Sequence, residues 1–302
     1  MAATNNLSNC IDKFTNRLDK VIAQETVTGD LNMNQDLLGE MSGNGKIEIA
    51  SIDMDGLATH KRGQGFTKGG LSVTWQPYQL QYERDREFNI DVLDDDERAK
   101  LVSANAMGEF ARTKVVPEVD AIRFAKLTQN AGTTVKKDLS GADETVAAVL
   151  EAEQCMEDHG VKLSQCLFYH SAATKKLLRL SNKYQLSAGQ APNSNFSTYD
   201  EMKMIGVAGD RFYSAIKLLD GTTSGEEKGG YEKAIDGKAL NFIVMAPEAA
   251  AAISKHEKLR YFSPDVNQAD DAHKWQYRLY HDLIVYLKKK GLIYAHVAEE
   301  AA

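Results

Sequence analysis

The chain has 302 residues, 43% of them hydrophobic and 26% charged, a balance that supports a sizeable buried core and excludes both a disulfide-stapled peptide and a disordered chain. Lys and Arg number 36 against 43 Asp and Glu, a formal charge of −7, so no overall basic field exists to hold a nucleic-acid backbone. No apolar run is long enough to span a bilayer, and MAATNNLSNCIDK lacks the charged-then-apolar order of a secretion signal, which predicts synthesis and retention in a cytoplasm.

In chain order, Leu7, Ile11, Phe14, Leu18 and Ile22 recur at steps of four, three, four and four, which predicts an amphipathic helix. The polar, aperiodic TVTGDLNMNQDLLGEMSGNGK tethers it. Such a helix either folds back on its own core or docks on a neighbour. Ile47 and Ile49 start a short strand; Leu71, Val73 and Trp75 mark another; Leu80, Tyr82, Phe88, Ile90 and Val92 alternate with polar residues over a third. HKRGQGFTKGG between them carries Lys61, Arg62 and Lys68 among glycines, so residues 46–92 read as a long projecting β-excursion with a basic, mobile tip.

Four acids, Asp94 to Glu97, suit the positive end of a helix that carries Met107, Phe110, Val115, Val119 and Ile122 as far as Leu127; Pro117 should kink it or start its second half. Residues 143–159 predict a helix with Val146, Val149, Leu150 and Met156 inward and Gly160 as its stop. VKLSQCLFYH predicts a strand, followed by a helix capped by Ser171 and running to Leu180. Residues 187–230 read as loop-rich surface with short strand pieces, ALNFIVM as a fully apolar strand, and PEAAAAISKHEKL as a helix with Pro247 in its first turn. The alternation from Trp275 to Leu287 predicts a long strand, after which KKKG turns and LIYAHVA pairs back.

Chemistry is hard to place. Five residues rather than four separate Gly39 from Gly45, and Ile47 stands where a phosphate loop needs Ser or Thr. Asp53, Asp55 and Gly56 echo a calcium loop without its remaining ligands. The seven histidines form no HExxH, no GxSxG elbow holds a serine, and Cys10, Cys155 and Cys166 are widely spaced, odd in number and without a CxxC. The residues single out no catalytic centre, no metal and no cofactor. What stands out is architecture: extensions that expose surface a monomer would bury.

Two stretches carry a resemblance. Arg84, Phe88, Ile90 and Asp91, then Glu109, Phe110, Arg112, Thr113, Lys114, Pro117, Glu118, Asp120, Arg123 and Phe124, together with YFSPDVNQADDAHKWQYRLYHDLIVYLKKKGLIYAHV, resemble major capsid proteins of tailed bacteriophages with the HK-type capsid fold, over roughly residues 45–300. The resemblance implies an α+β chain in which residues 1–45 form an N-terminal arm and 46–92 an extended loop overlapping a neighbouring subunit. It further implies a peripheral domain with a spine helix from 93–140 and 256–302, and an axial domain from 141–255. It implies a non-enzymatic subunit that assembles with itself as pentamers and hexamers around double-stranded DNA, with a separate scaffolding protein and a portal as partners, in a virion built in a bacterial cytoplasm. Lys61, Arg62 and Lys68 are expected either to pair with acids on an adjacent subunit or to remain a solvated tip. The six acids and three bases of residues 1–45 suit a container that must not adhere to its DNA. A nanocompartment shell of the encapsulin kind is the alternative within the fold, and an unrecognised cytosolic enzyme the alternative outside it.

Overall fold

The computed structural model describes residues 26–32, 46–60, 62–63, 66–91, 107–181, 187–188 and 197–299. The expected helix over Leu7 to Ile22 and the expected helix start at Asp94 lie outside these residues. Among the described residues, strands β1 (Lys46–Met54) and β2 (Leu71–Gln79) pair only with each other, Ile47 opposite Tyr78 and Met54 opposite Leu71. β3 (Tyr82–Asp91) departs from expectation, because it does not project with them. It pairs along its length with β13 (Ala272–Val285), which also pairs with β12 (Ala250–Phe262). The break falls at Leu80, whose side chain is buried with Ile47, Ile253 and Ile284; burying that one leucine fixes where the ribbon leaves the body.

β12 is itself a correction, because the Ala-rich run predicted as a helix is a strand after a short 3₁₀ turn at Pro247–Ala249. Helix propensity is a weak prior and tertiary packing outweighs it. Ala250 and Ala252 lie in one core with Leu283 and Val285, their neighbours in the pairing, while Ile253 packs in another with Ile284.

Residues 107–129 form one unbroken helical run. It widens to a π-turn at Ala111–Val115, where Val116 N–H reaches Ala111 O, and continues as α1 (Val116–Gln129). Pro117, near the start of α1, cannot donate to a carbonyl one turn back, and the wider turn lets the helix pass it without breaking. At 1.5 Å per residue the run spans about 35 Å. Met107, Ala111, Val115, Val116 and Val119 pack on Leu259, Tyr277 and Leu279 of the three-stranded sheet. Further along, Phe124 and Leu127 enter a different core with Tyr169 and Ile243. One helix therefore spans two sheets.

The second sheet has seven strands in the order β4-β14-β11-β5-β8-β7-β6: β4 Thr133–Lys136, β5 Leu167–Ser171, β6 Ser187–Ala188, β7 Ser197–Tyr199, β8 Met202–Val207, β11 Leu240–Met245 and β14 Ile293–Val297. β9 (Ile216–Leu219) and β10 (Gly230–Lys233) form a separate hairpin. β14 does not pair back on β13 as expected; it lies between β11 and β4. Both faces of the sheet are covered. α2 (Ala142–Asp158) and α3 (Ala172–Leu180) bury Val146, Val149, Met156 and Leu178 against Phe168, Phe242, Val244 and Tyr294. Leu31, Phe124 and Leu127 cover Tyr169, Ile243, Met245 and Ile293 on the other face. Because β11 is sandwiched, its run Phe242–Met245 is apolar and fully buried, with Asn241 the polar exception near its start. Ser171 caps α3 by accepting from Thr174 N–H at 3.1 Å, as the sequence predicts, and Gly160, at φ +76°, stops α2. Leu150, predicted inward on α2, is 50% exposed.

Candidate inter-subunit surfaces

The β1–β2 ribbon changes face along its length. At the base, Ile47 and its opposite Tyr78 pack toward Ile253, Ile284 and Tyr286. Beyond Ile49 the apolar residues switch parity, so that Ile52, Met54, Leu71, Val73 and Trp75 share the opposite face, with Ile52 paired to Val73 and Met54 to Leu71. Those five side chains are 50–71% exposed. Leu57 and Phe66, in the loop beyond, are almost wholly exposed. An isolated two-stranded ribbon is marginal in water, and a contiguous exposed apolar row of this kind marks a surface that another molecule covers.

The ribbon is nonetheless shaped. Asp55 Oδ2 accepts from Gly70 N–H at 2.6 Å and closes the end of the ladder. Lys288 Nζ lies 3.3 Å from Asp53 Oδ1 on the other face, an exposed pair worth little by itself. Of the basic residues predicted at the tip, Arg62 and Lys68 are exposed in the loop between the strands, while Lys61 lies outside the described residues. Leu7, Ile11, Phe14, Leu18 and Ile22 likewise lie outside them, so the docking of that helix rests on the sequence alone.

On the N-terminal side the structure describes residues 26–32. Thr28 is fully buried; its hydroxyl donates to Asp120 Oδ1 at 2.7 Å and accepts from Arg123 Nη1 at 2.9 Å. The backbone N–H groups of Val27 and Thr28 also donate to the Asp120 carboxylate, at 3.3 and 3.2 Å. Burial pushes the Asp120 carboxyl up, against the pull of the Thr28 hydrogen bond and the Arg123 charge. Leu31 enters the main core, and Asn32 bridges in parallel to Ala252. Residues 26–32 are therefore clamped between α1 and β12.

The residues that carry the resemblance form two matched halves. Arg84 of β3 meets Glu118 of α1 at 2.6 Å and also donates to Gly230 O at 3.1 Å. Phe88 stacks edge-on against Phe110, with centroids 5.0 Å apart, and Phe110 against Tyr277 at 5.9 Å. Asp120 and Arg123 hold Thr28, while Phe124 contacts Tyr169 and Phe212. In the folded chain Arg84, Phe88, Phe110, Asp120, Arg123 and Phe124 bind strand, helix and residues 26–32 to one another.

Among the described residues, no group of three or more His, Cys, Asp or Glu is arranged to hold a metal, and no helix is long and apolar enough to cross a membrane. Two buried titratable groups stand apart. Burial, and then the Asp200 carboxylate, push Glu153 of α2 up to about 8. Burial, with the charges of Arg123, Lys126 and Arg84, holds His281 down at about 3. Beside His281, Asp282 accepts from Lys126 at 2.5 Å and from Gln81 N–H at 3.1 Å, fixing the start of β3.

The sequence matches no protein-family profile and no curated protein. Its structure aligns with solved shells. A chain from Mycobacterium phage Che8 is 16% identical over 90% of each chain, with a TM-score of 0.59. One from the mature capsid of bacteriophage PhiM1 is 13% identical over 85% of this chain and 83% of that one, with a TM-score of 0.57. A virus-like particle from Pyrococcus furiosus is 10% identical over 95% and 98%, with a TM-score of 0.53. With clamped residues 26–32, a projecting ribbon, a helix bridging two sheets and these alignments over nearly the whole length, the chain has the HK-type capsid fold.

Proposed function

We propose that the chain is the major capsid protein of a tailed bacteriophage, a structural subunit that assembles with itself into the closed shell around a double-stranded DNA genome. The observation that carries the reading is the apolar row Ile52, Met54, Leu71, Val73 and Trp75, left uncovered on a ribbon that leaves the body, in a fold whose solved examples include a mature phage capsid. Closed shells of identical subunits gain cooperativity from many modest contacts, and a projecting ribbon enlarges one of them. In this reading residues 1–45 are the arm, the ribbon at 46–79 is the overlapping part of the 46–92 segment, the spine helix and the three-stranded sheet, β3 included, form the peripheral domain, and residues 141–255 supply most of the axial domain. Arg62 and Lys68, with Lys61, reach acids on the adjacent subunit. A separate scaffolding protein and a portal serve as partners, and the acidic balance keeps the inner surface from adhering to DNA.

Electron microscopy of the purified chain, alone and co-expressed with a scaffolding protein from the same genome, tests the proposal: closed shells are expected, and a stable small oligomer under every condition would refute it. The likeness to the virus-like particle from Pyrococcus furiosus favours a second reading, a nanocompartment shell. Nucleic acid inside the particles supports the phage reading, and a packaged protein cargo supports the other.

A further inference from the structure

α2 and α3 lie side by side on one face of the seven-stranded sheet, and their charges are segregated. α2 carries Asp143, Glu144, Glu151, Glu153, Glu157 and Asp158 with no Lys or Arg; α3 carries Lys175, Lys176 and Arg179 with no acid. Part of the acidic set has a local role. Glu144 pairs with Lys137 at 2.7 Å and accepts from Ser140, and Glu153 is buried. Apart from Asp143 at the first turn, that leaves Glu151, Glu157 and Asp158 exposed from Leu150 to the end of α2, and Lys176 and Arg179 exposed beside Leu180. Among the described residues, none of these five charged side chains makes an ion pair, and no ion pair joins α2 to α3. A helix that only needs solubility mixes signs at i,i+4 spacing and gains a few tenths of a kcal/mol per pair; two single-sign rows forgo that.

Each row also borders an exposed leucine, Leu150 at 50% and Leu180 at 64%. An apolar centre within a charged rim is the anatomy of a protein interface. The two rows are complementary in sign and lie on different parts of one surface. Two such patches can pair reciprocally in a two-fold dimer or head to tail in a ring; the ring is the arrangement that the capsid reading selects.

We infer that the acidic face of α2, centred on Leu150, docks on the basic face of α3, centred on Leu180, of the next copy of this chain around a ring. Opposite charge selects the partner and its orientation, and the leucines supply apolar burial. The inference rests on the capsid reading and names one contact within it.

The test uses two full-length chains, one with Glu151→Lys and Glu157→Lys, the other with Lys176→Glu and Arg179→Glu. Each alone is expected to keep the wild-type melting temperature and lose particle formation at concentrations where the wild type assembles. Mixed, the lysines of one meet the glutamates of the other, so alternating, even-membered rings form and hexamers return, without the odd-membered pentamers that a closed shell needs. Recovery on mixing separates a contact between copies from an attraction between the two helices of one chain, which mixing leaves unrepaired. Wild-type assembly by either variant alone overturns the inference, as does a mixture that stays unassembled while both chains melt normally. Should a double reversal lower the melting temperature, Glu157→Gln and Lys176→Gln replace it, and at least a tenfold rise in the concentration needed for assembly is expected of each; an unchanged concentration overturns the contact. A wild-type chain that never assembles refutes the capsid reading and this contact with it, a result distinct from any behaviour of the variants.

Discussion

Thr28→Val separates clamping of residues 26–32 by a buried polar network from mere apolar docking. Valine keeps the volume of this fully buried side chain and removes its hydroxyl, which donates to Asp120 at 2.7 Å and accepts from Arg123 at 2.9 Å. Hydrogen bonds to charged groups contribute roughly 1.5–3 kcal/mol each. Asp120 retains its backbone donors from Val27 and residue 28, so the lower end applies to both bonds and the loss is about 3 kcal/mol. With an unfolding entropy of about 2.1 cal/mol/K per residue, a chain of 302 residues loses about 1.6 °C of melting temperature per kcal/mol, so a fall of about 5 °C is expected in a thermal melt of the unassembled protomer. A double-mutant cycle with Arg123→Met should return a coupling of about 1 kcal/mol or more. A Thr28→Val protomer within about 0.5 kcal/mol of wild type, the range of an ordinary surface substitution, would refute the clamp.

Three further outcomes follow from the structure. Glu153, held up at about 8 against an ordinary 4.5, contributes stability that is fully present below about pH 4.5 and is lost as pH rises through about 8. Glu153→Gln should therefore unfold at higher urea than wild type at pH 9, by a margin on the order of a few kcal/mol, with a flatter profile between pH 5 and 8; equal urea midpoints at pH 9 would contradict it. At Gly132 an added Cβ would sit 2.6 Å from Gly291 Cα and 2.7 Å from Lys290 O, both backbone atoms, so Gly132→Ala should cost about 1–3 kcal/mol in chemical denaturation, where an unchanged midpoint would show that the turn yields freely. Val73→Ser with Trp75→Ser, on the exposed face of the ribbon, should leave the protomer melting temperature within about 2 °C of wild type while abolishing shells in sedimentation velocity. Undiminished shells would remove the ribbon from the interface.

Much of the fold was legible where pattern and burial coincide. Phe168, Phe242 and Val244 face α2 and α3 while Tyr169, Ile243 and Met245 face the other core, and that two-sided burial wrote the apolar run of β11. Ser171 announced α3 by a local hydrogen bond. Tertiary context decided the failures: the alanines of β12 favour helix in isolation and became strand by pairing with Val285 to Leu283. The ribbon was half legible. Ile47 and Ile49 lie on odd positions, Ile52 and Met54 on even ones, and such a change of phase looks like the end of a strand when it is the point where the buried face gives way to the exposed one. The clamp at Thr28 left no periodic signal, because it joins a threonine to an aspartate and an arginine more than ninety residues further along the chain. Segregated charge on α2 and α3 was visible in the sequence, but only the fold shows which of those charges go unpaired.

In the assembled shell another copy of the chain is expected to cover the apolar row of the ribbon. Trp75, 60% exposed in the protomer, reports on that directly once the second tryptophan, Trp275, is replaced by Phe. Its fluorescence emission should be that of a solvated indole in the protomer and shift to the blue as shells form. Shells that assemble while Trp75 keeps its solvated emission would contradict that expectation.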